Sequence, residues 1–285
     1  MAPPRVAIAG SSGMLGSTFR THLAVEEELC LTRADLDVTQ PRRLRAKLAD
    51  LRPELVLNCA ADTDVEGAER EMSRAFAANA VVPALLAQAC RDLDITLVHF
   101  SSTGCYGIQK STPYDDYDEL RPTTVHHRAK AGGEAAVREA GGPHIVMRLG
   151  WLYGGEPGHR KNFVMARIRE GRSKPEVVSD PFQTGNPTFV EDVVAQTMAL
   201  VEAGVYGTFN CVAGGSASRF DYVRKIVTAA GLDTRLLPQR FARAAQVSPN
   251  EAAVNMKLDL LGLNRMPLWD DALVRYIERL LRSET

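Results

Sequence analysis

The 285-residue chain has little aromatic content, 6%, and only five cysteines. Cys30, Cys59, Cys90, Cys105 and Cys211 are odd in number, widely scattered and form no C-x-x-C pair. That spacing excludes a disulfide framework and carries no zinc signature, so reduced thiols in a cytoplasmic protein are expected and no metal site is predicted. An excess of one charge is missing as well: 34 Lys+Arg stand against 35 Asp+Glu, a formal net charge of −1. Without a broad positive field, nucleic-acid or membrane-surface binding has no electrostatic footprint. No apolar run approaches a bilayer span, and the first residues lead almost directly into a strand with no basic or cleavable apolar leader, so neither membrane insertion nor export is expected. These absences leave small-molecule chemistry as the default.

What is present is an alternation. Short apolar, β-branched runs at residues 5–9, 28–32, 55–58, 96–100 and 145–149 are separated by stretches of helical period at 14–24, 41–51, 68–90 and 126–139. This pattern predicts an α/β fold, a Rossmann-type doubly wound parallel sheet. Beyond residue 150 the rhythm is less regular, with helices expected at 163–170, 190–202, 220–230 and 269–281 and a strand at 207–212. Residues 1–149 therefore read as a nucleotide-binding domain. Residues 150–285 read as a smaller substrate-binding region interleaved with it.

The first strand runs into Gly10-Ser11-Ser12-Gly13-Met14-Leu15-Gly16. Glycines there permit a tight turn, close approach of backbone to a pyrophosphate and packing of the helix on the sheet. The helix N-terminus behind them offers free N–H groups to phosphate. Between a strand and an amphipathic helix, the motif predicts a dinucleotide site in which Gly10, Ser12, Gly13, Met14 and Leu15 hold the cofactor. At the end of the second strand an NAD site carries an acid, whereas this chain has Thr32-Arg33. A guanidinium pairs with a 2′-phosphate, so Arg33 predicts NADP(H), with a solvated surface charge as the alternative.

Together with further motifs, these residues resemble the extended short-chain dehydrogenase/reductases, within them the dTDP-4-dehydrorhamnose reductase branch, over nearly the whole chain. The motifs are Leu36-Asp37-Val38, Arg52 through Ala61, Thr63 through Glu69, Asn79, Arg148 through Gly154, Asn162-Phe163, Gly185 through Thr188 and Pro267-Leu268-Trp269. The resemblance implies NADPH-dependent reduction of a 4-keto-6-deoxy sugar nucleotide or related small ketone, with a homodimer as a further expectation. It places Asp37, Val38, Cys59, Ala60 and Ala61 against the cofactor. Thr103, Tyr106, Trp151 and Asn162 fall on the substrate side, and Tyr153 follows the same strand as Trp151. The family's catalytic Ser/Thr and Lys match Ser102 and Lys130, the latter also a cofactor ligand. Its catalytic Tyr is replaced by His126.

This replacement changes the chemistry. A phenol beside a lysine and a nicotinamide cation gives its proton to a developing alkoxide, whereas the same cations push a histidine below its usual value and leave it neutral. An imidazole also reaches less far than a phenol. The open readings are proton relay by His126 through water, takeover by Tyr106 or Thr103, a changed enzyme using His126 as base for epimerisation or elimination, and a nucleotide-binding homologue without turnover. His127, adjacent on the helix, is expected to face another way, and His99 to be a hydrogen-bonded core residue. The run Asp115-Asp116-Tyr117-Asp118-Glu119, with Tyr114 before it, reads as a solvated lid. The family's Arg-Arg-Pro segment corresponds to Val247-Ser248-Pro249 here, leaving Arg219, Arg240 and Arg243 to supply charge to an anionic substrate.

Overall fold

The protein is described by a computed structural model covering residues 4–283. In chain order the first half forms β1 (Val6–Ala9), α1 (Met14–His22), β2 (Cys30–Leu31), α2 (Pro41–Leu51), β3 (Leu55–Asn58), α3 (Val65–Ala68), α4 (Met72–Phe76), α5 (Val82–Asp92), β4 (Thr96–Ser102), α6 (Val125–Ala140) and β5 (His144–Leu149). The second half forms β6 (Trp151–Tyr153), α7 (Phe163–Ser173), β7 (Glu176–Ser179), β8 (Thr184–Gly185), β9 (Pro187–Phe189), α8 (Val190–Glu202), β10 (Gly207–Cys211), β11 (Ala217–Ser218), α9 (Arg219–Ala229), β12 (Arg235–Pro238), α10 (Met256–Leu260) and α11 (Trp269–Arg282).

Six strands make one parallel sheet in the order β2-β1-β3-β4-β5-β10. Ile8, Leu57, Phe100 and Met147 meet Phe19 of α1 and Val193 of α8 on one face, while Ala7, Val56, Leu97 and Val146 meet Leu48 of α2 and Leu86 of α5 on the other. Burial on both faces is why these strands read as continuous apolar runs rather than alternating ones. The chain turns one way from β1 to β2 and the other way to β3, so a crevice opens at the carboxyl ends of β1 and β3, paired through Ala9 and Asn58. β10 and α8, both beyond residue 150, return to this sheet and its flanking layer.

Several local expectations change. The strand expected at 28–32 keeps only Cys30–Leu31, because Glu27–Leu29 forms a 3-10 turn and the Asp35 carboxylate takes the Thr32 N–H at 2.8 Å and hydroxyl at 2.6 Å. The single helix expected at 68–90 is interrupted at residues 69–71 and then runs from α4 through a π turn at Ala77–Val81 into α5. The turn buries Asn79, whose amide accepts from Asp62 N at 3.0 Å and donates to Asp62 O at 2.9 Å. The acidic run is solvated only in part: Tyr117 and Glu119 are exposed, and Asp115 and Asp118 are half-buried around Asp116. Asp116 is buried and accepts from the N–H groups of Asn210, at 2.5 Å, and Lys257, at 3.1 Å, so it covers the outer edge of β10. Tyr114 stacks on Tyr106 with centroids 4.7 Å apart.

Candidate active site

Gly10 has φ +77°, and a Cβ on it would lie 2.7 Å from Ala60 N; one on Gly16 would lie 2.2 Å from Gly10 O. Both glycines are therefore sterically required for the β1–α1 turn. α1 starts behind Gly13 with no side-chain cap, which leaves its first N–H groups open. This cradle fits the pyrophosphate of a dinucleotide. Ser12, Gly13, Met14 and Leu15 line a cleft of about 850 Å³, and Cys59 and Ala61 line it from the loop after β3, with Ala60 packed behind Gly10. To the side, Asp37 accepts from the Thr39 N–H at 2.9 Å and hydroxyl at 2.7 Å, which lowers its carboxyl below the ordinary range. Val38 packs half-buried on the core, and Arg33 is exposed beyond β2.

Across the same cleft, β4 ends in Ser102, whose Oγ accepts from Gly104 N at 3.2 Å. Lys130 comes from α6 and donates from Nζ to Phe100 O at 2.9 Å. Burial pushes its ammonium down to about 8, against the pull of Cys105 and Glu134. The first turn of α6 is capped by Thr124 and presents two histidines to the cleft, their rings edge to face with centroids 5.0 Å apart. His127 thus lines the same cavity as His126, contrary to the helical-wheel expectation. Burial, then the neighbouring His127 and Lys130, push His126 down to about 3, so it is neutral. Its Nδ1 is buried with no hydrogen-bond partner among the described residues, and the Asp62 backbone, which Asn79 fixes, opposes the downward shift. His99 is buried and bonded to Asn58 at 3.1 Å, as expected of a core histidine.

The far half of the cleft is built by residues 150 onwards. Trp151 donates from its indole to Glu251 at 2.7 Å, and the Arg219 guanidinium lies 3.5 Å from its ring centroid. Burial lowers Arg219 to about 10, with Glu251 opposing. Gln183 and Arg243 complete this wall, Arg243 held by Glu66 at 2.7 Å. Lys161, from the loop before α7, bonds Thr63 of the loop after β3. Among the described residues no group of three or more His, Cys, Asp or Glu is placed to hold a metal, and no helix is long and apolar enough to cross a membrane.

The chain matches the RmlD substrate binding domain family over residues 4–282. It belongs to that family. A dTDP-4-dehydrorhamnose reductase of Mycobacterium tuberculosis is 36% identical over 280 residues, covering 94% of this chain and 91% of that protein. A dTDP-4-keto-6-deoxy-D-glucose reductase of Streptomyces niveus is 34% identical over 231 residues, covering 79% and 78%. The crystal structure of dTDP-4-dehydrorhamnose reductase from Bacillus anthracis in complex with NADP superposes with a TM-score of 0.90 at 28% identity, covering 97% of this chain and 99% of that one.

In this RmlD-family chain, three of the four residues expected on the substrate side lie off the cleft wall. Thr103 is buried under the turn after β4. Tyr106 is fully buried; its hydroxyl donates to Asn210 at 2.8 Å and accepts from Arg148 at 2.9 Å. Asn162 is consumed as the cap of α7, accepting from Met165 N at 3.0 Å and bonding Tyr276 at 2.6 Å. Tyr153 is likewise sealed in the core. Trp151 does line the cleft. Glu251 and Gln183 were not among the expected site residues, because the loops that carry them have no periodic signal; the departure from the family at Val247-Ser248-Pro249 was the available clue.

Proposed function

We propose that the protein is a cytoplasmic NADPH-dependent reductase of a 4-keto-6-deoxy sugar nucleotide, of the dTDP-4-dehydrorhamnose type. The observation that carries this reading is one cleft shared by the open N-terminus of α1, Ser102 and the buried Lys130. When bound, NADPH supplies the hydride. The backbone N–H groups at Gly13 to Leu15 hold the pyrophosphate, Arg33 pairs with the 2′-phosphate, and Lys130 binds the nicotinamide ribose. Ser102 donates a hydrogen bond to the ketone oxygen. Arg219 and Arg243 face the anionic part of the sugar nucleotide beside Trp151. The named activities of the relatives and the NADP bound to the Bacillus anthracis protein support the same reading.

The neutral His126 favours a second reading, in which cofactor and sugar nucleotide bind without turnover. Anaerobic single-turnover mixing with NADPH and a dTDP-4-keto-6-deoxyhexose separates the two. Loss of the reduced-nicotinamide absorbance, with NADPH bound more tightly than NADH, is the expected result. Tight NADPH binding with unchanged absorbance replaces the first reading by the second, and failure to bind NADPH overturns both.

A further inference from the structure

We propose that His127, not the histidine at the family tyrosine's position, donates the hydrogen bond that steadies the oxygen of the ketone as it is reduced. The assignment rests on the reductase reading above. A relay through His126 needs Nδ1 to pick up a proton as the other nitrogen gives one away. That Nδ1 is buried with no hydrogen-bond partner among the described residues. His126 fills the tyrosine's place without its proton path.

The neighbouring ring is arranged differently. Thr124 is fully buried at the N-cap of α6, and its Oγ accepts the backbone N–H of His127 at 3.1 Å while lying 3.0 Å from His127 Nδ1. The Thr124 hydroxyl has no other acceptor within reach among the described residues, so its hydrogen goes to Nδ1, Nδ1 accepts, and the proton of the neutral ring sits on Nε2. Nε2 lies over Gly104: a Cβ at that position would come within 2.2 Å of Nε2 and 2.3 Å of Cε1. The N–H of Gly104 in turn bonds Ser102 Oγ. The imidazole and the Ser102 hydroxyl, which both line the cleft, therefore meet over one buried glycine, which no larger residue could replace without displacing the ring.

Burial holds His127 below the usual imidazole value; Glu251 pulls upward, and Lys130 and Arg243 push down. A neutral imidazole locked in one tautomer is a carbonyl electrophile rather than an acid. In the step, the ketone carbon gains the hydride with its electron pair, and the π pair of the C=O bond moves to oxygen. The Ser102 O–H and the His127 N–H hold that oxygen, which then takes a proton from water. NADPH is oxidised, the ketone is reduced, and His127 leaves the step unchanged.

The test compares wild type with His127→Leu and His127→Gln on NADPH and a dTDP-4-keto-6-deoxyhexose. His127→Leu should lower kcat by about 10²- to 10³-fold, the usual effect of losing one oxyanion donor, with KM and NADPH affinity near wild type. His127→Gln places an amide N–H close to the lost Nε2–H and should recover at least about tenfold of the loss, which a purely structural role would not do. Independently of turnover, ¹⁵N spectra of histidine-labelled protein should show His127 as the Nε2–H tautomer, lost in Thr124→Val. An Nδ1–H tautomer overturns the assignment, as does unchanged kcat in His127→Leu while wild type oxidises NADPH. If His127→Leu does not fold, judged by NADPH binding, the Gln variant and the tautomer decide. Wild type that binds NADPH and leaves it unoxidised overturns the reductase reading and takes this assignment with it.

Discussion

His126 is held neutral first by burial and then by the charges beside it, and this has a consequence for acid stability. In the unfolded chain the ring titrates near 6.5, and in the fold near 3. Between those values the unfolded state binds a proton that the folded state refuses, so the stability is complete above 6.5 and is lost as pH falls towards 3. Calorimetric Tm should therefore fall more steeply below pH 6.5 in wild type than in His126→Leu. Parallel slopes in the two proteins would mean that the ring is solvated. At this scale Ser102 and Lys130 are legible through the resemblance of their segments to the family. The sequence also points to a neutral His126, but by way of the cations, whereas desolvation dominates. Thr103, Tyr106 and Asn162 have site-like types and spacing; Tyr106 is spent on Arg148, 42 positions away, and Asn162 on its local cap of α7 and on Tyr276, 114 positions away, while Thr103 is buried.

Among the elements, α6 is the one that positions the chemistry, and its anchor is a buried ion pair. Glu134 is fully buried and accepts from Arg148 Nε at 3.1 and 3.2 Å and Nη2 at 2.9 Å, joining α6 to β5. Arg148 continues through Tyr106 to Asn210, which ties the turn after β4 and the edge strand β10 into the same network. Glu134→Ala leaves the guanidinium buried without its counter-charge and should cost about 3–5 kcal/mol, measured by urea denaturation. A cost below about 1 kcal/mol, the value typical of exposed pairs, would show that water replaces the carboxylate. The helical period of 126–139 is legible despite its paired glycines. The π turn at Asn79 is not, because it is set by a bond to Asp62 across 17 positions.

Across the whole molecule one core draws on both halves: Ile8, Phe19 and Phe100 share a cluster with Val193, Phe209 and Tyr276. A fragment ending at residue 149 loses β10 from the edge of the sheet and the core residues of α8 and α11 that share its cluster, and should show no cooperative thermal transition by circular dichroism. A sharp transition would establish that the first half folds alone. The chain order of β1 to β5 and the glycine turn were legible in the sequence alone, because βα alternation and a strand-to-helix glycine motif are local properties of the chain, whereas Ser102 and Lys130 came from the resemblance of their segments to the family. Only the tertiary structure decided that β10 closes the sheet, that Arg219, Gln183 and Glu251 meet Trp151 in the cleft, and that His127 rather than a solvated surface faces Gly104. Those outcomes depend on contacts between distant segments and on which polar atoms burial leaves unpaired, and neither is written in any window of neighbouring residues.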